Sequence, residues 1–561
     1  MNPINLGVFR LLSEEPKSDE DFERWIRQDE VVAFLEDDLF DDHILLYVSL
    51  PHFFLHAVLI PAVDTGLDSN WEELKSWNLT ADTSWGIASC GDEVLLCDPL
   101  DQTGSKIIDQ GEKLVFLRDF EGIDRGKFYI EMNQRLCHIL ELHHMPERSA
   151  WCRLDENGDI EEVIKIHSLP GPFEGRVVSI SARQLAIYAC VTNQHIARMF
   201  DVTRFRTSGF FGWGDEMPRK SVKSATIRGQ MGVQPGNGSF FRGVQVANIA
   251  ASKASIRKSI FSFEDDGKKY ESFIAHDWRN DRIGEFSCAP DRLANYFVPK
   301  EGPFQTTPAF FNPEVLSKYK ADPDKYTIES HSISCRSTWY LQRWGVNDAG
   351  QVFTYLCYLG NLPNKEQLHW KQFNETPRAG LPDGTIKTDF MGVFDESYDP
   401  LQGLIARCRE LSSDRKTWWK VRDESLFTRT HYPLSDKRAE WANELMNLDQ
   451  LLIESLEERT IRKIAKEKGA SIKDRMRALK LIEACFVADK FEVEHAKQIM
   501  TPFHDVHNLR SELKGHASDG TAKAREVEAR KRADGSLINH FRELCQACDE
   551  SLELVGKCLG S

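Results

Sequence analysis

Two residues near the carboxyl end of the chain, Arg510 and His516, combine types and spacing that suit chemistry on a phosphate. An arginine guanidinium can hold a phosphate through two parallel hydrogen bonds, and a histidine can exchange a proton near neutral pH. Together they suit transesterification of RNA, in which the 2′-hydroxyl attacks the adjacent phosphorus without a metal ion. The alternative is a surface ion pair of Arg510 with Glu512 or Asp505, with His516 as an ordinary loop residue.

The pair should lie where a helix ends and a loop begins. Apolar residues recur there at spacings of three and four, as on a helix with one buried face: Phe503, Val506, Leu509 and Leu513. Arg510 lies at the edge of this face. Gly515 can end the helix by adopting a positive φ, so that His516 begins the loop.

The helical period extends over residues 433–561 and predicts an all-α domain there. Pro433 marks its start. Ser435 and Ser471 are predicted to cap two of the helices, and Ser536 the last one. Narrow apolar stripes on helices of this length are typical of a helical bundle.

A bundle whose late helix ends in the run LRSELKGH resembles the HEPN superfamily, in which an Arg followed closely by a His marks a ribonuclease motif. A large β-containing part before such a bundle is similar to the ApeA type of bacterial anti-phage protein. The resemblance covers only residues 433–561. It implies RNA cleavage without a metal or other cofactor, at a site formed between two copies of the chain. Arg510 would then stabilise phosphate charge, and His516 would transfer a proton.

Three further basic residues could contact RNA on the same surface: Lys514, His507 and His540. The favoured alternative for each is an ordinary solvent-facing residue. A non-catalytic function stays open, because some members of the superfamily are inactive scaffolds or dimerisation modules. Ser511 stands where Asn, Asp or His is more usual, and Gly515 is a poor helix former. The alternative to a ribonuclease is therefore a binding protein with a helical dimerisation domain and a β-rich region that recognises a partner.

The part of the chain before the bundle is predicted to contain two domains. Residues 1–233 suggest a mixed α/β region, and residues 234–432 a β-rich domain that could be a sensor or binding module. The whole is therefore expected to be an α+β multidomain protein.

Several elements of these two domains are predicted from local patterns. Apolar runs on either side of Pro51 predict two buried strands, and an Asn-Gly pair at residues 157–158 predicts a hairpin. Helical patterns cover residues 131–145 and 181–200.

Two further predictions concern residues 205–243 and 333–359. Residues 205–243 are rich in Gly, Ser and basic residues, which favours a long loop or a domain junction. Residues 333–342 and 351–359 are predicted to be the strands of a hairpin.

Two other groups of residues could bind ligands. One combines thiols and imidazoles: Cys137, His138, His143, His144 and Cys152. Its spacing fits no standard zinc finger, so structural thiols and half-buried histidines are favoured and no metal site is predicted. The other group is the stretch from Arg204 to Arg242, where basic and aromatic residues alternate as in single-strand binders. Aromatic anchoring of a loop with solvated charges is the favoured interpretation.

The composition restricts the possible partners. A formal net charge of -16 excludes a generic polyanion binder, because affinity for bulk nucleic acid comes from Lys and Arg. Any RNA contact must therefore be local. The 13 cysteines are odd in number and form no pair of CxxC modules of the kind that closes a zinc site, which predicts mostly reduced thiols in the cytoplasm. No secretory signal or membrane span is predicted.

These observations predict a conditional endoribonuclease of bacterial defence or toxin type. It would act as a homodimer through the C-terminal bundle and need no cofactor. The part of the chain before the bundle would restrain it until an activating ligand or protein is sensed.

Overall fold

Long runs of β-branched and aromatic residues form an antiparallel sheet in the first half of the chain. The computed structural model describes residues 6–62, 86–97, 111–119, 128–169, 175–214, 217–260, 268–295, 297, 300–329, 331–393, 399–433, 435–514 and 519–560. The chain divides into two units, of which the first comprises Met1–Asp155 and Asp159–Asp266 and the second Glu156–Gly158 and Gly267–Ser561.

The first unit is built on a sheet of 11 strands in the order β13-β14-β15-β12-β2-β1-β11-β10-β9-β8, with β5 paired to β2. Two separate ribbons, β3-β4 and β6-β7, accompany it. The strands are β1 (His43–Leu50), β2 (Phe53–Pro61), β3 (Gly86–Cys90), β4 (Glu93–Cys97), β5 (Glu112–Lys113), β6 (Val115–Asp119), β7 (Phe128–Met132), β8 (His143–Met145), β9 (Ala150–Leu154), β10 (Ile160–Leu169), β11 (Gly175–Ser181), β12 (Gln194–Phe205), β13 (Arg219–Lys223), β14 (Ile227–Gln234) and β15 (Gly238–Ala247).

Helices cover this sheet, and its two faces enter different apolar cores. The helices are α1 (Leu6–Ser13), α2 (Asp19–Trp25), α3 (Asp29–Asp38), α4 (Gln134–Ile139), α5 (Ala182–Thr192) and α6 (Lys253–Ile260). In β1, Ile44 and Leu46 enter one core, whereas Leu45 and Val48 enter the other. This alternation explains why the whole strand is apolar, since both of its faces are buried.

The predictions for the first unit were partly right. The two strands around Pro51 pair as predicted, with Val48 opposite Leu55, and the Asn-Gly pair at residues 157–158 joins β9 to β10. The helix predicted over residues 131–145 is wrong except for α4.

The helix predicted over residues 181–200 is wrong in its second half. Asn193 adopts a left-handed conformation that ends α5, and β12 begins at Gln194. The long loop predicted over residues 205–243 is also wrong, because the hairpins of β13, β14 and β15 occupy most of it. Residue 233, the predicted domain boundary, lies inside the β14-β15 hairpin, and the first unit continues to Asp266.

The second unit begins with short antiparallel sheets. One has the order β17-β16-β18-β23-β22 with β24 paired to β18, and the other is β19-β20-β21. The strands are β16 (Ser272–Asp277), β17 (Arg282–Ser287), β18 (Pro308–Phe311), β19 (Tyr326–Ile328), β20 (Ile333–Cys335), β21 (Trp339–Leu341), β22 (Gly345–Val346), β23 (Val352–Tyr355) and β24 (Asn374–Glu375).

The hairpin predicted over residues 333–342 and 351–359 is wrong in its pairing. Residues 333–341 form their own hairpin, β20-β21, because Arg336 and Ser337 adopt positive φ values of 42° and 62° and turn the chain. The strand β23 ends at Tyr355, where a helix begins.

Helices make up the rest of the second unit. They are α7 (Ser317–Ala321), α8 (Leu356–Asn361), α9 (Asn364–Gln372), α10 (Asp383–Met391), α11 (Pro400–Ser413), α12 (Leu426–Arg429), α13 (Arg438–Leu452), α14 (Glu458–Glu467), α15 (Ala478–Ala488), α16 (Val493–Lys514), α17 (Asp519–Arg532) and α18 (Leu537–Leu559).

The C-terminal helices share one apolar core, to which α11 also contributes Leu404 and Cys408. Ser536 caps α18 as predicted, since its side chain accepts a hydrogen bond from the Asn539 amide. Ser435 and Ser471 do not cap helices, because α13 begins at Arg438 and α15 at Ala478. The predicted α+β multidomain fold, with a β-rich middle and an all-α C-terminal region, is confirmed.

Candidate active site

Helix α16 positions the predicted catalytic arginine. Phe503 and Val506 are buried in the bundle core, and Leu509 and Leu513 pack against it, as the spacing predicted. Arg510 therefore lies beside this face, with 34 % of its side chain exposed.

A buried carboxylate on α13, Asp449, binds two residues of α16. Its Oδ1 lies 2.9 Å from Nδ1 of His507, and its Oδ2 lies 3.6 Å from Nε of Arg510. The Asp449 side chain is fully buried, whereas that of His507 is 47 % exposed. Burial raises the pKa of Asp449, and the hydrogen bond from His507 and the charge of Arg510 partly oppose that rise. The same buried carboxylate therefore hydrogen-bonds to His507 and attracts Arg510.

This geometry fixes the orientation of the His507 ring. With Nδ1–H donated to Asp449, Nε2 becomes the nitrogen that carries the lone pair. A carboxylate behind an imidazole orients the ring, and this arrangement is found behind many histidines that bind or react. His507 can thus accept a proton or a hydrogen bond from a ligand at the surface.

Arg510 has a second acidic neighbour, Glu454, in the loop after α13. A terminal nitrogen of Arg510 lies 3.5 Å from Oε1 of Glu454, and Glu454 also pairs with Arg422. Separations of 3.5 and 3.6 Å are long for a hydrogen bond, so the attraction is mainly Coulombic. Oδ2 of Asp449 accordingly has no hydrogen-bond partner within the described part of the chain. The guanidinium is attracted to two carboxylates but firmly bonded to neither.

The sequence-based alternative for Arg510 named the wrong partners. Glu512 binds Arg525 instead, at 2.5 and 3.1 Å. Asp505 lines a pocket between α16, α17 and α18.

The predicted site residues are only partly together. His507 and Arg510 meet at Asp449, whereas His540 of α18 lines the pocket that Asp505 also lines. His516 lies outside the described residues, and so does the side chain of Lys514.

His540 occupies a different environment from His507. It is 8 % exposed, and its ring packs edge-on against Trp441 at 5.4 Å between centroids. Burial and the nearby charge of Arg532 lower the pKa of His540 to about 4. This histidine is therefore neutral at pH 7, and its predicted contact with RNA requires a ligand that enters the pocket.

The thiols and imidazoles near residue 140 are dispersed among packing contacts. Cys137 and Cys152 are buried, and burial raises the pKa of both thiols, that of Cys137 to about 11. His144 stacks on Trp151 at 4.3 Å between ring centroids. Over the described ranges, no cluster of three or more His, Cys, Asp or Glu side chains could hold a metal ion.

The basic and aromatic residues from 204 to 242 serve packing within the first unit. Arg204 is fully buried, lies over the Trp25 ring and pairs with Glu30 at 2.7 Å. Phe241 is buried in the sheet. Phe210 and Trp213, between β12 and β13, pack against Phe205 and Phe240 and anchor that segment on the sheet, in line with the favoured interpretation. Arg219 and Lys220 are exposed.

Sequence reasoning missed Asp449 and Glu454, the two acids that hold Arg510. Asp449 stands among the apolar positions Leu445, Leu448 and Leu452 of α13. A carboxylate among the buried apolar positions of a helix needs a polar or charged partner. This signal in the sequence could have identified Asp449 as part of a site.

Comparison of the chain with protein-family models, with curated proteins and with solved structures found no match. None of the described helices combines the length and the apolar character needed to cross a bilayer.

Proposed function

We propose that the chain is a conditional, metal-independent endoribonuclease of bacterial defence or toxin type, acting as a homodimer in the cytoplasm. The observation that carries this proposal is that one buried carboxylate, Asp449, lies within hydrogen-bond distance of His507 and attracts Arg510 at a partly exposed surface. A preorganised imidazole and guanidinium are suited to a substrate with a phosphate and a proton to transfer. The resemblance of the run from Arg510 to His516 to a ribonuclease motif supports the same chemistry.

In the proposed reaction, Arg510 binds the scissile phosphate and stabilises the charge that grows on it. The 2′-oxygen loses its proton to a base and bonds to phosphorus. The bond from phosphorus to the 5′-oxygen breaks, and an acid supplies a proton to that oxygen. His516 serves in proton transfer, one copy from each protomer, and His507 binds the RNA. The products are a 2′,3′-cyclic phosphate and a 5′-hydroxyl.

The acidic neighbours of Arg510 support a conditional activity. Asp449 and Glu454 carry charge of the same sign as the phosphate and attract the same guanidinium. RNA must therefore compete with the protein's own carboxylates, which restrains the free enzyme. A trigger that moved the loop of Glu454 away from α16 would release Arg510.

The test is cleavage of RNA by the full chain in the presence of a chelator. We expect products with 2′,3′-cyclic phosphate ends, identified by mass spectrometry. Arg510→Ala and His516→Ala should each lower the cleavage rate about 100-fold or more, because each removes a group that acts in the transition state. Growth arrest on expression in bacteria should be lost in parallel.

Two exposed residues of the same bundle provide matched controls. Arg459→Ala on α14 and His495→Ala on α16 remove the same side-chain types elsewhere and should leave cleavage unchanged. Full activity in both Arg510→Ala and His516→Ala would show that the site lies elsewhere.

A non-catalytic binding protein is the second candidate, and one observation favours it. Arg510 is already attracted to two carboxylates, which is also the expected environment of a structural ion pair. For such a protein, Arg510→Ala would lower the unfolding free energy by about 1 kcal/mol or more, since Asp449 would stay buried with one fewer partner. No RNA would be cleaved by the native chain.

A further inference from the structure

A polar pocket lies between α16, α17 and α18, and its α16 residues face away from Asp449. Asp505 and Asn508 of α16 line one side, Arg525, Glu528 and Arg532 of α17 another, and His540 of α18 a third. The pocket is open to solvent, and its cavity volume is about 70 Å³. We call it the Asp505 pocket.

Three polar side chains of the Asp505 pocket have no hydrogen-bond partner within the described residues. Those of Asp505, which is half-buried, and Asn508, which is exposed, form no hydrogen bond or ion pair there. Nδ1 of His540 is buried and likewise has no partner. Asp505 and Asn508 are thus open to a ligand from solvent, and convergent polar groups around a cavity are typical of a ligand site.

The cations of the pocket, in contrast, are already paired. Arg525 binds Glu512 at 2.5 Å and Glu528 at 2.9 Å, and Arg532 binds Glu528 at 2.6 Å. A phosphate would have to break these charge-assisted bonds, so an anion is a poor occupant. The unpaired carboxylate of Asp505 accepts hydrogen bonds and donates none. The ligand must therefore offer N–H donors and carry no negative charge at this point.

We propose that the Asp505 pocket binds a guanine base. Guanine has two adjacent donors, N1–H and the 2-amino group, which match the two oxygens of one carboxylate. Adenine and cytosine offer only an exocyclic amino group on that edge, and uracil only N3–H. The guanine acceptors O6 and N7 can receive the amide N–H of Asn508.

The environment of His540 suits a flat, uncharged ring. Because burial lowers the pKa of His540 to about 4, the imidazole itself is uncharged at pH 7. The His540 ring packs edge-on against Trp441, so this side of the pocket is already ordered before the base enters.

The guanine can come from a free nucleoside or nucleotide, or from a residue of an RNA strand. The RNA source rests on the proposed ribonuclease function, because only a nuclease would bring an RNA strand to this bundle as its substrate. The binding of a free nucleoside does not rest on it.

The first experiment measures nucleoside binding to the full chain by calorimetry. Guanosine should bind, and inosine, which lacks the 2-amino group, should bind about tenfold more weakly because one acceptor of Asp505 is left unpaired. Adenosine should show no measurable binding. Equal affinity for guanosine and inosine, or no guanosine binding, would overturn the proposal without any variant being made.

The second experiment uses Asp505→Asn, with Asp474→Asn at an exposed position of the same bundle as the control. Asp505→Asn should weaken guanosine binding about tenfold or more, and the control should not. A urea unfolding curve shows whether Asp505→Asn is folded. A folded Asp505→Asn variant with unchanged affinity would contradict the role of this carboxylate.

The two sources are separated by RNA cleavage. If the base belongs to the substrate, replacing a single guanosine by inosine should slow cleavage at a fixed distance from it. If it belongs to a free effector, added guanosine should change the cleavage rate of an RNA that lacks guanine. Guanosine binding without cleavage of any RNA would overturn the proposed ribonuclease and leave the pocket supported.

Discussion

At the scale of single residues, the candidate site consists of one buried carboxylate and two partly exposed basic side chains. Asp449 is inaccessible, whereas His507 and Arg510 are partly exposed and bind it from one helix. We therefore regard Asp449 as a positioning residue, which acts on a substrate only through its two partners.

Substitution of Asp449→Asn tests this role. The amide is nearly isosteric but uncharged, so it should no longer orient His507 and Arg510, and the kcat for RNA cleavage should fall about tenfold. The KM should not rise, because a negative charge that competes with phosphate for Arg510 is removed. Steady-state kinetics on one RNA substrate give both constants. A rise in KM at constant kcat would contradict a positioning role.

His540 predicts a dependence of stability on pH. Its pKa is about 4 in the folded chain against 6.5 as the ordinary value, so between these pH values the unfolded chain binds a proton that the folded chain does not. The free energy of unfolding should therefore fall as the pH is lowered from 6.5 to 4, by up to about 1.4 kcal/mol per pH unit for this one proton.

The measurement is urea unfolding at pH 7, 6 and 5. His540→Asn should reduce the fall in stability with acid, because the asparagine takes up no proton in either state. His495→Asn, at an exposed position, should reproduce the native pH dependence. Identical pH dependence in all three proteins would show that His540 does not contribute.

At the scale of elements, α16 packs beside the carboxyl end of α13, where negative charge is concentrated. Asp449 lies in its last turn and Glu454 just beyond it, where the unpaired carbonyl groups of a helix end already concentrate negative charge. Arg510 and Arg422 balance this charge. The competition for Arg510 is thus a property of the helix end as well as of two side chains.

Glu454→Gln is expected to increase RNA cleavage. It removes one carboxylate that attracts Arg510 and keeps the other, so kcat/KM should rise about two- to fivefold, the equivalent of a partly exposed ion pair. Glu457→Gln, at an exposed position of the same loop, is the control and should have no effect. A decrease in cleavage with Glu454→Gln would mean that Glu454 positions Arg510 productively.

The elements that the sequence predicted are those whose signal is local. Ser536 caps α18 because the serine and the amide that it binds are three residues apart. The hairpin at residues 157–158 follows from its Asn-Gly turn. The apolar positions of α16 recur with the helical period, so Arg510 could be located at the edge of a buried face.

The elements that the sequence did not predict depend on distant partners. Residues 219–223 are mostly polar and exposed because β13 is the outermost strand of its sheet. Only Val222 of this strand packs against the core, which is too little apolar alternation to detect. Asp449 lies 58 residues from His507, so nothing near it in the chain shows what it binds. Ser471 has the residue type of a cap, but the chain extends to Ala478 before α15 begins.

At the scale of the whole molecule, the proposed site is completed by a second copy of the chain. A symmetric dimer presents the same surface twice, so the Arg510 and His516 of both protomers would face one another. Light scattering on the full chain should give twice the mass of one chain. Arg510→Ala should remain a dimer while losing RNA cleavage, which separates association from catalysis. A monomeric and active native chain would contradict the composite site.

The long ion pairs of Arg510 have one more consequence, for the kinds of RNA that can be cut. If Arg510 binds RNA as proposed, Asp449 and Glu454 would act as a tethered competitive inhibitor, whose effective concentration is set by the fold and is not reduced by dilution. A dinucleotide has only one phosphate to compete with the two carboxylates for Arg510. It should therefore be a poor substrate at any practical concentration. A long strand brings many contacts at once, and their combined affinity can displace the internal acids. The chain would then discriminate by polymer length, which spares the cell's small nucleotides while leaving its long transcripts vulnerable.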